Sequence, residues 1–452
     1  MERVVPAPPS KSYTHRALIC AALADGASTL IRPLDADDTR ATAGGLVALG
    51  ADITFGDGEW TVSGTGGKIT PREESIDCSE SGTTMRLLTG VAALSPEPIV
   101  LTGAPRLCER PIGELLNVLS QLGANARSLN ACDSNCPPVE VYGGLRGGEV
   151  TVRGEISSQI ISALLLAAPL GKSEARIRVE GSVVSAPYVA LTADVMAAYG
   201  VRVTVSGGES CRVNDISVWM NEGFPGERVF HVRVDGGYKG YRCDIESDYS
   251  QAAYFALAGS LTNHEVTVGK LNDRSMQGDH QFLDVLARMG SLLKWKGTEL
   301  HVRRGSLAGL GKIGMGNCPD IVPPLAVAAA FAKGETVITD VAHLEAKESP
   351  RITVLVNALK AMGIDAERIV ECGQVTGLNI VGGEPKPTLI RTHRDHRIAM
   401  SFGCAKLVVP ELELDDYSCV RKSYPGFWRD LNTATCEKHA WLRELSAKFT
   451  GS

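Results

Sequence analysis

The chain has 452 residues, of which 44% are apolar, 22% charged and 5% aromatic, with 48 glycines; this suffices for two ordinary domains or one repetitive architecture and excludes a small module or a generally disordered chain. A formal net charge of -6 argues against a surface built to coat nucleic acid, so any anion site has to be assembled locally. Apolar stretches are interrupted well short of a membrane span, and Met1-Glu2-Arg3-Val4-Val5-Pro6 has neither the apolar core of a signal peptide nor the Arg/Ser-rich pattern of a transit peptide. We therefore expect a cytoplasmic location, no membrane partner and no nucleic-acid partner. The 12 cysteines are scattered, and Cys132 and Cys136 lack a second pair or a His pair at zinc spacing, so reduced thiols, no disulfide and no metal site are expected.

Taken in chain order, the predicted elements repeat. An Ala- and Leu-rich helix is expected over Thr14 to Leu23, Thr83 to Leu94, Ser158 to Leu170, Ser250 to Leu261, Ile321 to Lys333 and His396 to Leu407. A second helix ends each unit's helical part at Gly50, Gly123, Gly200, Gly290 and Gly363, where a left-handed C-cap suits glycine; the sixth copy, near Trp428 to Ala434, is degenerate. β-rich runs such as Val139 to Tyr142, Ile177 to Val179 and Val201 to Val205 lie between them. The result is six α/β units of roughly 75 residues, three in each of two domains, with the crossing placed at Lys239 to Ile245.

The leading helices carry unusual chemistry at their N-terminal ends: Lys11, Ser12 and Arg16; Gly82 and Arg86; Ser157, Ser158 and Gln159; Asp320; and Asp395, His396 and Arg397. Ser, Thr, Asp and Gly there are ordinary caps. Basic residues oppose the helix dipole and call for a compensating anion or carboxylate. Their recurrence at equivalent places points to a site for highly charged, phosphorylated ligands.

Pro9-Ser10-Lys11-Ser12 with Arg16, Ser81-Gly82-Thr83-Thr84-Met85-Arg86, Glu109-Arg110-Pro111-Ile112-Gly113, Ser157-Ser158-Gln159, Lys347-Glu348-Ser349-Pro350-Arg351, Asp395-His396-Arg397 and Lys422-Ser423-Tyr424-Pro425 resemble, in this order, the motifs of the 5-enolpyruvylshikimate-3-phosphate synthase family. The resemblance covers nearly the whole chain. It implies a two-domain inside-out α/β barrel of six βαβαββ units, with residues 14–240 as a first domain mainly on the shikimate 3-phosphate side and residues 1–13 plus 241–452 as a second domain on the acid/base side. It also implies substrate-driven closure, small-molecule substrates and no cofactor. The family transfers the enolpyruvyl group of phosphoenolpyruvate to the 5-hydroxyl of shikimate 3-phosphate, and it is the target of glyphosate.

By the same resemblance, Asp320 takes the hydroxyl proton, Glu348 protonates the methylene carbon, and Lys11 and Lys422 assist proton transfer or stabilise charge. Phosphoenolpyruvate falls to Lys11, Gly82, Arg110, Gln159, Arg351, Arg397 and Lys422. Shikimate 3-phosphate falls to Lys11, Ser12, Arg16, Ser157, Ser158, Gln159, Ser185, Tyr188, Asp320, His343 and Lys347. Five cations suit a ligand carrying a carboxylate and a phosphate. The chain departs from the common bacterial pattern at Glu80, Ser81, Leu87 and His343, the first three bearing on inhibitor sensitivity. The related transferase acting on UDP-N-acetylglucosamine uses a Cys upstream of an Arg-Pro pair, but Cys108 lies only two residues before Arg110, which is the wrong spacing. A regulator that binds these ligands without catalysis is disfavoured by the joint presence of Asp320, Glu348, Lys11 and Lys422. No apolar stripe advertises a subunit partner, so a monomer is expected.

Overall fold

The computed structural model describes residues 4–207, 211–213, 228–232, 237–436 and 438–449. The chain divides into a first unit, Pro9–Ile245, and a second unit formed by Met1–Pro8 with Glu246–Ser452. Relative to the expected boundaries, residues 9–13 and 241–245 fall with the first unit; residues 1–3 of the expected second domain lie outside the described residues. The cause is local. Ser10 caps a helix that begins at Lys11, and the strand Arg242–Asp244 pairs in parallel with Ala27–Ile31.

The first unit contains α1 (Lys11–Leu23), α2 (Asp37–Ala48), α3 (Gly82–Ala92), α4 (Gly113–Gln121), α5 (Ser158–Ala167) and α6 (Ala186–Ala198). Its sheets follow one plan. Ser75–Asp77 runs through α3 into the parallel strand Ile99–Thr102, then α4 and the antiparallel strands Asn125–Ser128 and Val139–Tyr142 complete the repeat. The same βαβαββ order builds the sheet of Gly148–Arg153, Ala175–Glu180, Arg228–Val232 and Val203–Gly207, to which Cys211–Val213 adds. In the remaining sheet Arg242–Asp244 supplies the first strand beside Ala27–Ile31, Glu59–Ser63 and Asp52–Phe55.

The second unit repeats this with α7 (Tyr249–Leu261), α8 (Gln281–Met289), α9 (Val322–Ala330), α10 (Arg351–Ala361), α11 (His396–Lys406), α12 (Phe427–Ala434) and α13 (Ala440–Phe449). Val4–Pro6 lies parallel to Val266–Gly269, so the N-terminal strand opens the first repeat here. The sixth repeat is the degenerate one: its described sheet is only Leu389–Ile390 beside Glu413–Leu414. Cys436, at φ 57°, stands after α12, whereas Gly50, Gly123, Gly200, Gly290 and Gly363 close the other even-numbered helices at positive φ.

Helices α1, α3 and α5 form the centre of the first unit, and α7, α9 and α11 that of the second. Every residue of α7 and α11 is buried, Arg397 and Lys406 of α11 included because each is paired with a carboxylate, while strands such as Glu59–Ser63 alternate exposed and buried positions. Small residues let the helices approach. A Cβ on Gly90 of α3 would lie 2.7 Å from the Ala163 carbonyl oxygen of α5. Such packing of helices inside and sheets outside brings helix N-termini together at one end of each unit.

Candidate active site

In the first unit the candidates gather at the starts of α1, α3, α5 and α6. Ser10, Ser81 and Ser157 cap α1, α3 and α5 by accepting N-H bonds from Tyr13, Thr84 and Gln159, which satisfies helix donors otherwise left open. Lys11, nearly buried, pairs its Nζ with Asp38 Oδ2 at 2.9 Å. The Asp38 backbone carbonyl also accepts the Thr84 hydroxyl at 3.1 Å, tying α2 to α3. Arg16 is buried along α1: its Nε donates to Thr192 Oγ1 at 2.6 Å, Nη1 to the Ser12 carbonyl at 3.0 Å and Nη2 to the Tyr188 carbonyl at 3.2 Å. Burial lowers its pKa to about 10, still far above neutrality. Arg16 therefore joins two other shikimate 3-phosphate candidates, Ser12 and Tyr188, through their backbone carbonyls. Ser185, just before α6, holds a left-handed φ of 56°, a strained setting for a serine and one common at ligand sites.

Gly82 and Arg110 are neighbours. A Cβ built on Gly82 would lie 2.6 Å from Arg110 Cζ and 2.7 Å from Nη2, with Nη1 nearer still. The missing side chain is what lets the guanidinium lie on the start of α3. Gln159 donates through Nε2 to Thr83 Oγ1 at 3.1 Å. Cys108 sits in the turn Leu107–Glu109 and donates to the Gly103 carbonyl at 3.4 Å.

In the second unit Arg351, fully buried, binds three carboxylates. Its Nε meets Asp395 Oδ2 at 2.8 Å, Nη1 meets Asp320 Oδ1 at 3.2 Å and Nη2 meets Glu348 Oε2 at 2.6 Å. Arg397 Nη2 takes the other Asp320 oxygen at 2.6 Å, and Lys422 Nζ lies 3.4 Å from Glu348 Oε1. Burial alone would lower the pKa of Arg351, but Asp395, Glu348 and Asp320 reverse that and hold it firmly charged. Asp395 caps α11 through the Arg397 N-H at 3.0 Å and also accepts the Ser349 hydroxyl at 2.9 Å. His343, in the turn Ala342–Ala346 that ends at Lys347, has its pKa lowered by burial to about 3, and its Nε2 has no hydrogen-bond partner. It is a neutral imidazole with hydrogen-bonding capacity to spare.

The candidates thus form two sets, one in each unit. Lys11, Ser12, Arg16, Gly82, Arg110, Ser157, Ser158, Gln159, Ser185 and Tyr188 belong to the first; Asp320, His343, Lys347, Glu348, Arg351, Arg397 and Lys422 to the second. Three participants were not among the candidates. Asp38 neutralises Lys11. Arg86 donates to the carbonyls of Gly82 and Pro111, at 3.3 and 2.8 Å, and to Gln159 Oε1 at 3.4 Å, so one buried guanidinium joins three segments of the phosphoenolpyruvate set. Asp279 accepts the Ser250 hydroxyl, and burial first, then Asp320, raises its pKa to about 7. Arg86 was visible as a motif residue opposing the dipole of α3; Asp38 and Asp279 carried no comparable local signal. Among the described residues no group of three or more His, Cys, Asp and Glu side chains is arranged to hold a metal ion.

Residues 1–431 match the family model described as EPSP synthase (3-phosphoshikimate 1-carboxyvinyltransferase). The 3-phosphoshikimate 1-carboxyvinyltransferase of Methanospirillum hungatei is 40% identical over 428 residues, 94% of each chain. That of Yersinia pestis is 35% identical over 434 residues, 93% of each. A solved EPSP synthase from Acinetobacter baumannii superposes with a TM-score of 0.72 over 96% of both chains at 26% identity. The order of motifs, the six-fold repeat and these similarities agree: the chain belongs to the EPSP synthase family.

Proposed function

We propose that the chain transfers the enolpyruvyl group of phosphoenolpyruvate to the 5-hydroxyl of shikimate 3-phosphate, releasing phosphate, as a step of aromatic amino-acid biosynthesis. The observation that carries the reading is the Arg351 cluster, in which two carboxyls suited to acid and base work share their cations. A ligand carboxylate taken up by the forks of Arg351 and Arg397 assumes the positive charge that Asp320 neutralises, and an Asp320 oxygen is then able to accept the 5-hydroxyl proton. As the ligand carboxylate draws Arg351 off Glu348, Glu348 takes up a proton from water; the hydroxyl oxygen then bonds to the central carbon of phosphoenolpyruvate as Glu348 protonates its methylene carbon. The tetrahedral adduct then loses phosphate as the methyl carbon returns a proton. Lys422, beside Glu348, stabilises the carboxylate that Glu348 becomes.

Lys11, Gly82, Arg110 and Gln159 complete the phosphoenolpyruvate set. Ser12, Arg16, Ser157, Ser158, Ser185 and Tyr188 bind shikimate 3-phosphate with Asp320, His343 and Lys347; neutral His343 offers Nε2 to a ring hydroxyl. The partners on this reading are these two small molecules, the protein is a monomer, and it works in the cytoplasm; no described helix is long and apolar enough to cross a membrane. Phosphate release that requires both substrates together tests the reading. Release from phosphoenolpyruvate alone at the same rate would reject it.

A further inference from the structure

Asp395 sits at the centre of the second unit's cluster, yet the backbone that delivers it is intrinsically unfavourable. His393 and Arg394 are both left-handed, with φ of 52° and 57°. Non-glycine residues hold that conformation where surrounding contacts impose it. Here the contacts converge on one carboxylate oxygen. Buried Thr392 donates both its backbone N-H and its hydroxyl to Asp415 Oδ1, at 2.8 and 2.7 Å, and the Thr392 carbonyl accepts the Asp395 N-H at 3.0 Å, closing the turn. Asp415 is itself fixed, because Leu389–Ile390 pairs with Glu413–Leu414 and the Asp415 N-H continues that ladder onto the Ile390 carbonyl at 3.1 Å. Arg391 Nη1 lies 3.9 Å from the other Asp415 oxygen.

We propose that Asp415 is a positioning residue for the reaction: by gripping Thr392 it holds the left-handed turn that sets the Asp395 carboxylate between Ser349, Arg351 and the start of α11, and so aims Arg351 and Arg397 at phosphoenolpyruvate. One acceptor that engages the main chain and the side chain of the same residue prevents Thr392 from rotating, and so fixes the point from which the two strained residues after it depart. Without the grip the turn relaxes, Asp395 withdraws, and Arg351 loses the bond that its Nε makes. The effect is on ligand alignment, since Asp415 touches neither guanidinium.

The inference rests on the assignment of Arg351 and Arg397 to phosphoenolpyruvate, and the test separates the two. For Asp415→Ala the Michaelis constant for phosphoenolpyruvate should rise by about tenfold, as expected from loss of one aligned charged hydrogen bond, while that for shikimate 3-phosphate stays within about twofold. Asp415→Asn keeps an Oδ1 acceptor for both Thr392 donors and should stay within about threefold of wild type in both constants. A lowered melting temperature with both constants unchanged, or an equal loss in the Asn variant, overturns the proposal. Should Asp415→Ala fail to fold, Thr392→Val removes one of the two bonds and should raise the phosphoenolpyruvate constant alone by about threefold; an unchanged constant overturns the proposal equally. Arg397→Ala is measured alongside. If it leaves the phosphoenolpyruvate constant unchanged, the assignment falls and the inference with it; if it raises that constant and Asp415→Ala does not, only the positioning role falls.

Discussion

Replacing Gly82 by Ala places a methyl group where Arg110 now lies. The added Cβ would be 2.6 Å from Arg110 Cζ and 2.7 Å from Nη2, whereas non-bonded carbons rest at about 3.5 to 4.0 Å, so the guanidinium has to retreat by about 1 Å. Such a shift removes a charged donor from hydrogen-bond range of its ligand, a loss of about 1.5 to 3 kcal/mol. That corresponds to a rise of about tenfold to a hundredfold in the Michaelis constant for phosphoenolpyruvate. The shikimate 3-phosphate constant should not change, since neither residue is among its ligands. Fold stability should not suffer either, because Gly82 opens α3 and Ala is the better helix former by up to about 1 kcal/mol. Steady-state kinetics with each substrate varied, together with a thermal melt, separates site from fold. Glyphosate, longer than the substrate it displaces, should lose more affinity than phosphoenolpyruvate does. An unchanged phosphoenolpyruvate constant, or an equal rise for both substrates, would refute the reasoning.

Asp320→Asn and Glu348→Gln are nearly isosteric and each removes a proton-transfer group, so turnover should fall by about a hundredfold or more with an unchanged fold; activity within about threefold of wild type would strip either residue of its role. His15, fully buried with Nδ1 2.7 Å from Thr42 Oγ1, has its pKa lowered from 6.5 to about 3, chiefly by burial. The unfolded chain therefore binds a proton that the fold refuses between those values: this stability is present above pH 6.5 and is lost as the pH falls toward 3, by about 2 kcal/mol at pH 5. Denaturant unfolding at pH 7 and pH 5 should show that slope, and a His15→Gln variant with the same slope would contradict it. Cys108→Ser should retain activity within about twofold, since its thiol makes only one weak hydrogen bond, and EDTA should have no effect; loss of activity in either experiment would favour thiol or metal chemistry.

What the sequence revealed about this molecule was what its residues encode locally. Ser10, Ser81, Ser157, Asp248 and Asp395 cap helices through their own side chains, so the starts of α1, α3, α5, α7 and α11 could be placed within a few residues. The glycines after the even-numbered helices were legible for the same reason. The strand Arg242–Asp244 was not, because three residues are too few to show a period and their partner, Ala27–Ile31, is over two hundred positions away. The helix-start cations pointed to anions, but their protein partners could not be read: Asp38 reaches Lys11 from the next helix, and Arg86 finds Pro111 and Gln159 in two other segments. Asp415 was likewise silent, since its hold on the turn is exerted through Thr392, 23 positions away in the chain.

The most direct measurement of the central claim is the structure of the product formed from phosphoenolpyruvate labelled in its methylene carbon. With shikimate 3-phosphate as acceptor, carbon NMR should show the label in an enolpyruvyl ether on the 5-oxygen, with phosphate released in equal amount; with UDP-N-acetylglucosamine no ether should form. An ether on the nucleotide sugar, or labelled pyruvate and phosphate with no ether at all, would contradict the account.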